Sequence, residues 1–529
     1  MSKGNKMASP LFKTSRISVP TGASVSTPSV KVNTVNDSGG IAYAMTHEHA
    51  LAQYAVTGML DNRVLQSAQV EFERVMAIAD KCSSEYIAKV AIYAHEKGLM
   101  KDMPALLLAV LLKRNKAIFG PVFDRVITNG RMLRTFVNIV RSGRLGYRSF
   151  GTLAKRKIQE WLNSASDKTI VNASIGNSPS LKDVIFMVHP KAPNENRNQL
   201  YRWVCDMEYH ESKLPEQLQK YLQLKRNPDA AETLPDVPFQ MYTSMGLTAE
   251  GWKHIAKNAT WNQTRMNLAT FDRHGVFSDS SMKSYVAEKL TSRRDILGSK
   301  AMPYSIFSAY KASNFSTEIK DALNTAANIS LENVPEIEGK TIIAIDISGS
   351  MTQRVNMKSN VTCMDIAALF AAALRIKNPN TDIILFNTNA RRYAPRHDTI
   401  MGIANDLSAM SNGGTDCSSA MKYICDNYAS DRMPDNIIMI SDNESWAGVK
   451  ANGWRTGTLQ YLLDIKKKNS NVRMVNLDIA PNTSMQTPFD ASILNIGGFS
   501  DSVFQIMALF FKSSNKDDFW VSEIQNVEI

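Results

Sequence analysis

The sequence predicts a molecule in two parts: a run of paired helices packed in series, then an open, doubly wound α/β domain. Three observations lead there. From Thr46 to about Thr325, segments of helical length follow one another, with Gly98, Gly130 and Gly143 at plausible ends. After that boundary short apolar runs alternate with helical ones, the pattern of a mostly parallel sheet covered on both faces. A chain of 529 residues also exceeds what one hydrophobic core organises.

In order, residues 1–40 are rich in Ser, Thr, Val, Pro and Lys without a sustained period and predict a mobile or loosely docked arm, its few valines poor evidence for a strand. Residues 41–330 form the helical module. Its helices are expected at His49 to Thr57, Gln69 to Asp80, Ser84 to Glu96, Pro104 to Asn115, Phe119 to Thr128, Arg131 to Arg141 and Thr152 to Ser164. Ser178 to Leu181 can cap a further helix, Tyr201 to Tyr221 reads as one, and Asn227 to Phe239 is turn-rich. Helices resume at Ala249 to Lys257, Asn262 to Phe271, Ser281 to Leu290 and Pro303 to Ala312, with the helical body ending near Asn324. No fixed-period repeat is visible, so a solenoid rests on helix and loop spacing alone.

Residues 331–529 carry the second part. Strands are expected at Lys340 to Ile345, Asp382 to Asn387, Asn436 to Ile440 and Val472 to Ile479. Helices are expected at Thr362 to Lys377, Asp416 to Tyr428, Thr458 to Lys468 and Ser502 to Lys512. In such folds ligands collect beyond the carboxyl ends of the strands, where the loops converge.

Charge divides along the same boundary. The net charge is +11, yet residues before Thr341 hold +13 and those from it onward −2; residues 101–170 alone hold +10. Attraction for polyanions is therefore N-terminal. The five cysteines are odd in number and make no Cys-x-x-Cys pair, which argues against a disulfide scaffold or a thiolate zinc site and fits a reducing, cytoplasmic setting. The longest apolar stretch, Met103 to Leu112, is about half of what a bilayer span needs, so no membrane partner is expected.

The first predicted strand runs directly into Asp346-Ile347-Ser348-Gly349-Ser350, where oxygen-bearing side chains at alternate positions can turn inward together. One carboxylate and two hydroxyls suit a hard divalent cation such as Mg²⁺. Two later loops, Asn412-Gly413-Gly414-Thr415-Asp416 and Ile440-Ser441-Asp442, can meet above that strand and add Thr415 and Asp442. The competing reading makes Asp416 and Asp442 helix caps. No nucleophile, general base or two-metal carboxylate array accompanies the cluster, so a binding role rather than an enzyme is expected.

Within the basic window, Ser142 to Gly151 is a Gly- and Arg-rich approach to a helix carrying Lys155, Arg156 and Lys157. Arg144, Arg148, Lys155 and Lys157 can contact phosphates, and Tyr147, if exposed, can stack on an unpaired base, while Phe150 and Trp161 read equally well as core. Past Ser180 to Val184, His189-Pro190-Lys191 adds a ring and a second cation.

The Asp346, Ser348, Ser350, Thr415 and Asp442 set resembles the metal-ion-dependent adhesion site of von Willebrand factor A domains. That resemblance implies Mg²⁺ or a similar ion whose coordination is completed by an acidic residue of a partner protein. The segment from Gly143 through Trp161, Ser180 to Lys191, and Thr264-Arg265-Met266-Asn267-Leu268 resemble the TROVE module. Their order, with the A domain following, is similar to the family of the 60 kDa Ro autoantigen and its bacterial relatives, from about Ala44 to the C-terminus. The resemblance implies a monomeric ring of HEAT-like helical repeats joined by the A domain, with the C-terminal tail returning to the helices. It further implies Y RNA or a Y-like noncoding RNA on an outer basic surface, with Lys155, Lys157 and His189 as leading contacts and Arg144 and Arg148 as weaker ones; Lys191, by its charge, can touch a phosphate beside His189. A single-stranded 3′ end of misfolded RNA would enter the ring, and a 3′ exoribonuclease is an expected associate. The residues by themselves leave open a metal-dependent protein-interaction scaffold with no specific RNA role.

Overall fold

A computed structural model describes residues 31–36, 39–57, 68–98, 100–147, 149–227, 234–312, 314–355, 360–442, 445, 455–480, 484–488, 490–499, 502–512 and 519–529. Among the described residues there are nine strands: β1 (Thr34–Val35), β2 (Ile41–Ala44), β3 (Thr341–Asp346), β4 (Thr381–Phe386), β5 (Ala390–Tyr393), β6 (Asn436–Ser441), β7 (Arg473–Asp478), β8 (Ser484–Met485) and β9 (Ile493–Gly497).

Between β2 and β3 the described chain is helical. Helices at His47–Thr57, Ala68–Ala79, Ser84–Glu96, Asp102–Arg114, Lys116–Val126, Gly130–Arg141 and Gly151–Ser164 fall within three residues of the expected ends. Their caps are local chemistry: the side chains of Ser83, Asn115 and Asn129 accept backbone N–H groups of the first turns that follow. The Asp102–Arg114 helix is buried from Met103 to Leu112, which accounts for the longest apolar stretch as a core helix flanked by its neighbours.

Several elements differ from expectation. Tyr201 to Tyr221 is not one helix: Glu195–Val204 stops at Cys205, Asp206 takes a left-handed φ of 55°, and the chain restarts at Glu216–Arg226. Asn262 to Phe271 breaks at Asn267 into Trp261–Met266, opened by a capping box of Thr260 and Gln263, and Leu268–Arg273. The helical body continues past Asn324 through Thr317–Ser330 and a 3₁₀ turn at Leu331–Asn333. Of the N-terminal arm, residues 1–30 lie outside the described residues, and β1 is a strand where the valines had seemed poor evidence, pairing antiparallel with β2.

The second part is a six-stranded sheet in the order β5-β4-β3-β6-β7-β9, parallel except for β5 at the edge. β3 and β6 are buried at every position because helices cover both faces, so they read as unbroken apolar runs. The Cys363–Lys377 helix is buried from Cys363 to Leu374, with Phe370 stacked on Phe504 at 4.4 Å between ring centroids.

Both ends of the helical run abut this domain. At the N-terminal end β2 pairs with β8 through Tyr43↔Met485 and Ala44↔Ser484. At the other end Lys311 pairs with Asp365 at 3.0 Å, Asn328 accepts the Ile400 N–H at 3.1 Å, and Tyr304 packs edge-on against Phe499. The Phe519–Gln525 helix returns to the first helices, where Lys89 Nζ donates to the Gln525 carbonyl at 2.8 Å and Arg125 donates to that of Glu528. Among the described residues no helix is long and apolar enough to cross a membrane.

Candidate metal centre and basic face

Asp346 ends the central strand β3 and is fully buried. One carboxylate oxygen accepts the Ser348 N–H at 2.8 Å, which turns the chain back sharply; the other accepts the Ser441 hydroxyl, from the end of neighbouring β6, at 2.7 Å. That turn brings Ser348 Oγ to 3.1 Å from Ser350 Oγ. The 412–416 loop lies directly on it, because Asn412 N donates to the Ile347 carbonyl at 2.7 Å and Gly349 N to that of Gly413 at 2.9 Å. Gly413 has a φ of 79°, and Asn387 below donates to Asn412 Oδ1 at 2.9 Å, so the loop is held from both sides.

Thr415 is buried between Gly413, bonded to Gly349, and Cys417, whose sulfur lies 3.8 Å from Ser441 Oγ. Asp442, directly after β6, is 5 % exposed. Asp416 plays the other part foreseen for it, capping the Cys417–Asn427 helix by accepting from Ser418 N at 2.9 Å and Ser418 Oγ at 2.6 Å. Asp346, Ser348 and Ser350 therefore come together, with Asp442 near enough for its charge to act on Asp346 and Thr415 carried by the loop that packs on the same turn, while Asp416 turns to its helix.

Electrostatically the cluster is a buried pair of like charges. Burial, then the charge of Asp442, raises the Asp346 carboxyl to about 7. Burial and the Asp346 charge likewise push the Cys417 thiol well up, so it sits here as a neutral thiol. Because the folded state binds the Asp346 proton more tightly than the unfolded chain does, this group favours folding at low pH. That contribution is lost as pH rises from about 4 to about 7. Thermal denaturation in chelator across that range should show this loss in the wild type and its absence in Asp346→Asn. Among the described residues no three His, Cys, Asp or Glu side chains gather to hold a metal, so the donors here are two carboxylates supplemented by hydroxyls.

The basic residues separate into three environments. Along the Gly151–Ser164 helix, Lys155, Gln159 and Asn163 share a face by their i, i+4, i+8 spacing. Gln159 Nε2 donates to the Val188 carbonyl at 2.6 Å and to that of His189 at 3.3 Å, and Asn163 Nδ2 to that of Lys191 at 2.9 Å. His189 ends the Leu181–Val188 helix in a left-handed conformation, φ 49°, and both it and Lys191 are exposed. Lys155, His189 and Lys191 thus edge one surface.

Lys157 departs from the expectation: two positions from Lys155, it turns away to Asp124 at 2.7 Å and Glu160 at 3.0 Å. Arg144 is exposed, its guanidinium lying 5.4 Å from the Phe72 ring centroid. Arg148 lies outside the described residues. Tyr147 is half-buried, with its hydroxyl given to the Ala109 carbonyl at 2.8 Å, and Trp161 donates to that of Ile127 at 2.8 Å, so both rings brace helices.

Sequence reading missed a second basic surface. Arg131, Arg134 and Asn138 on one face of the Gly130–Arg141 helix line an open cleft against residues 176–178, where Arg131 pairs with Asp102 at 3.1 Å, and Arg141 lines an adjoining one with Asp183 and the 48 % exposed ring of Phe186. The strongly amphipathic spacing of that helix was the available signal.

Comparison with known proteins agrees with this arrangement. The Ro60 vWA domain family matches residues 340–511. The chain is 23 % identical over 454 residues to the RNA-binding protein RO60 of Deinococcus radiodurans, covering 78 % of this chain and 83 % of that one. With the RNA-binding protein RO60 of Caenorhabditis elegans it shares 25 % identity over 263 residues, 46 % of this chain and 39 % of the other. The crystal structure of the Deinococcus radiodurans RO (RSR) protein superposes with a TM-score of 0.64 at 18 % identity, spanning 88 % of this chain and 99 % of that chain, a likeness of fold. Residues 340–511 match the Ro60 von Willebrand factor A domain, and the chain as a whole is similar in sequence to the RO60 protein of Deinococcus radiodurans and in fold to its crystal structure.

Proposed function

We propose that this protein is a cytoplasmic RNA-binding scaffold rather than a catalyst. It would hold Y RNA or a Y-like noncoding RNA on its exposed basic face and take single-stranded 3′ ends of structured or misfolded RNA, serving RNA quality control or processing. The observation that carries this reading is the convergence of Lys155, His189 and Lys191 on one surface of the module that holds nearly all the positive charge. Cations there meet phosphates, and an exposed imidazole can stack or hydrogen-bond to a base. The names of the two RO60 relatives support it. The helical run abutting the A domain at both ends supports a monomeric ring through which an unpaired strand could pass, with the arginine-lined cleft and Phe186 offering phosphate contacts and a stacking platform. The odd number of cysteines, with no Cys-x-x-Cys pair, accords with a reducing compartment.

The A domain completes the reading. Asp346, Ser348, Ser350, Thr415 and Asp442 would hold one Mg²⁺. The fit rests on two buried like-charged carboxylates, which a divalent cation would neutralise, beside hydroxyls suited to a hard ion. Bound there, the ion would supply a Lewis-acidic position for an acidic side chain of a partner protein. A 3′ exoribonuclease is a partner that such a scaffold could serve.

The test is equilibrium binding of the full-length protein to a structured RNA with a free 3′ tail. Replacing Lys155, His189 and Lys191 together by Ala should weaken binding about tenfold or more, and lower the slope of log affinity against log salt by roughly 1.5 through two lost phosphate contacts. Lys157→Ala, already ion-paired within the fold, should change affinity by less than about twofold. Equal affinity of wild type and triple variant for both tailed and Y-like RNA would defeat the proposal and leave a metal-dependent protein-interaction scaffold.

A further inference from the structure

The cation cluster is tied to the opposite end of the chain through one residue. Ser445 lies three positions beyond Asp442. Its hydroxyl accepts the Cys417 N–H at 3.1 Å, fixing the first turn of the Cys417–Asn427 helix two residues after Thr415. Its carbonyl is held by Asn36, whose Nδ2 donates to it at 2.9 Å in a buried bond spanning 409 positions of sequence.

Asn36 is itself built into a tight turn. Its side-chain oxygen accepts the Gly40 N–H at 2.6 Å, its own N–H donates to the Gly40 carbonyl at 2.8 Å, and the Gly39 N–H returns to the Asn36 carbonyl at 3.0 Å. Gly39 has a φ of 84°, and a Cβ on Gly40 would stand 2.1 Å from the Ser445 carbonyl oxygen. Glycine at 40 thus lets the turn close around that oxygen. The strands on either side, β1 and β2, continue the attachment, since β2 pairs with β8 of the A domain.

We infer that Asn36 is a positioning residue for the cation site. By fixing Ser445, whose hydroxyl anchors Cys417, it holds the Thr415 end of the Cys417–Asn427 helix at one spacing from the N-terminal hairpin. Cation binding and docking of the N-terminal hairpin therefore reinforce each other by the same factor. The inference rests on the proposal that Asp346, Ser348, Ser350, Thr415 and Asp442 bind Mg²⁺.

Two variants separate the clasp from the turn. Asn36→Ala removes both. Asn36→Asp keeps an acceptor for Gly40 but loses the donor to Ser445. Calorimetric titration of the full chain with Mg²⁺ should show about fivefold weaker binding in both variants, with circular dichroism unchanged. In the wild type, amides of residues 39–44 should exchange with deuterium more slowly once Mg²⁺ is added, and that slowing should vanish in Asp346→Ala. Unaltered Mg²⁺ affinity in both variants, or exchange indifferent to Mg²⁺, overturns the coupling alone. Failure of the wild type to bind Mg²⁺ overturns the metal reading and the coupling with it.

Discussion

Asp346→Asn should abolish measurable Mg²⁺ binding, a loss of at least about a hundredfold in affinity, while leaving the metal-free protein more stable than wild type at pH 8. The two effects share one cause. Asp346 and Asp442 are buried together, and burial and the neighbouring carboxylate both oppose ionisation of Asp346, so its charge costs stability unless a cation neutralises it. An amide removes one charge yet can keep both hydrogen bonds, accepting from Ser348 N with its oxygen and donating to a Ser441 hydroxyl that has rotated to accept. Asp346→Ala should lose the metal equally but gain no stability, because it strips the Ser348 turn of its acceptor. Melting curves of the three proteins at pH 8, with chelator and with Mg²⁺, check this. Stabilisation of the wild type by Mg²⁺, about 2.7 kcal/mol at a hundredfold excess over Kd, should be absent from both variants. A Mg²⁺-dependent shift surviving in Asp346→Asn would remove Asp346 from the ligand set.

The second large effect concerns a residue with no claim on RNA. Arg197 is 8 % exposed and fans into the C-terminal end of the Gly151–Ser164 helix. It donates to the carbonyls of Leu162 and Ala165, each at 2.5 Å, and to Asp167 at 3.0 and 3.2 Å. It thereby satisfies carbonyls that a helix end leaves without partners, and places a cation at the negative end of the helix dipole. Tyr201 adds its hydroxyl to the Leu162 carbonyl at 2.7 Å. Arg197→Ala should cost about 2–3 kcal/mol in denaturant unfolding through the carbonyls it leaves without a donor, and Arg197→Lys should recover little, since an ammonium cannot reproduce the planar fork. The same helix carries Lys155 and Asn163 toward His189 and Lys191, so RNA affinity should fall in Arg197→Ala although the arginine touches no ligand.

What the sequence made legible was what local pattern determines. The isoleucine runs of β3 and β6 announce strands buried on both faces, and Asp346 to Ser350 announces its cluster because alternate oxygens follow directly on such a strand. β5 escaped because Ala-Arg-Arg-Tyr at a sheet edge is half solvated and mostly polar, and β9 because Asn495 interrupts its short apolar run. The Ile400–Ser408 helix is nine residues with a glycine inside, too short for a periodic signal. Lys157 looked equivalent to Lys155 because what distinguishes them, Asp124, lies 33 positions away. Asn36 was invisible for the same reason on a larger scale.

The pairing of β2 with β8 joins residues about 440 positions apart. Synthesised at roughly 5–20 residues per second, the N-terminal strand emerges about 20–90 seconds before its partner exists. During that interval its edge is unpaired, the condition in which a strand invites a neighbouring chain. The helices can stack as they appear, since their contacts are local, whereas the hairpin must await nearly the whole polypeptide and then bear the entropic cost of closing a very long loop. Polypeptides truncated before Ser484 would never receive that partner strand, so an exposed Ile41–Ala44 edge would mark such incomplete molecules.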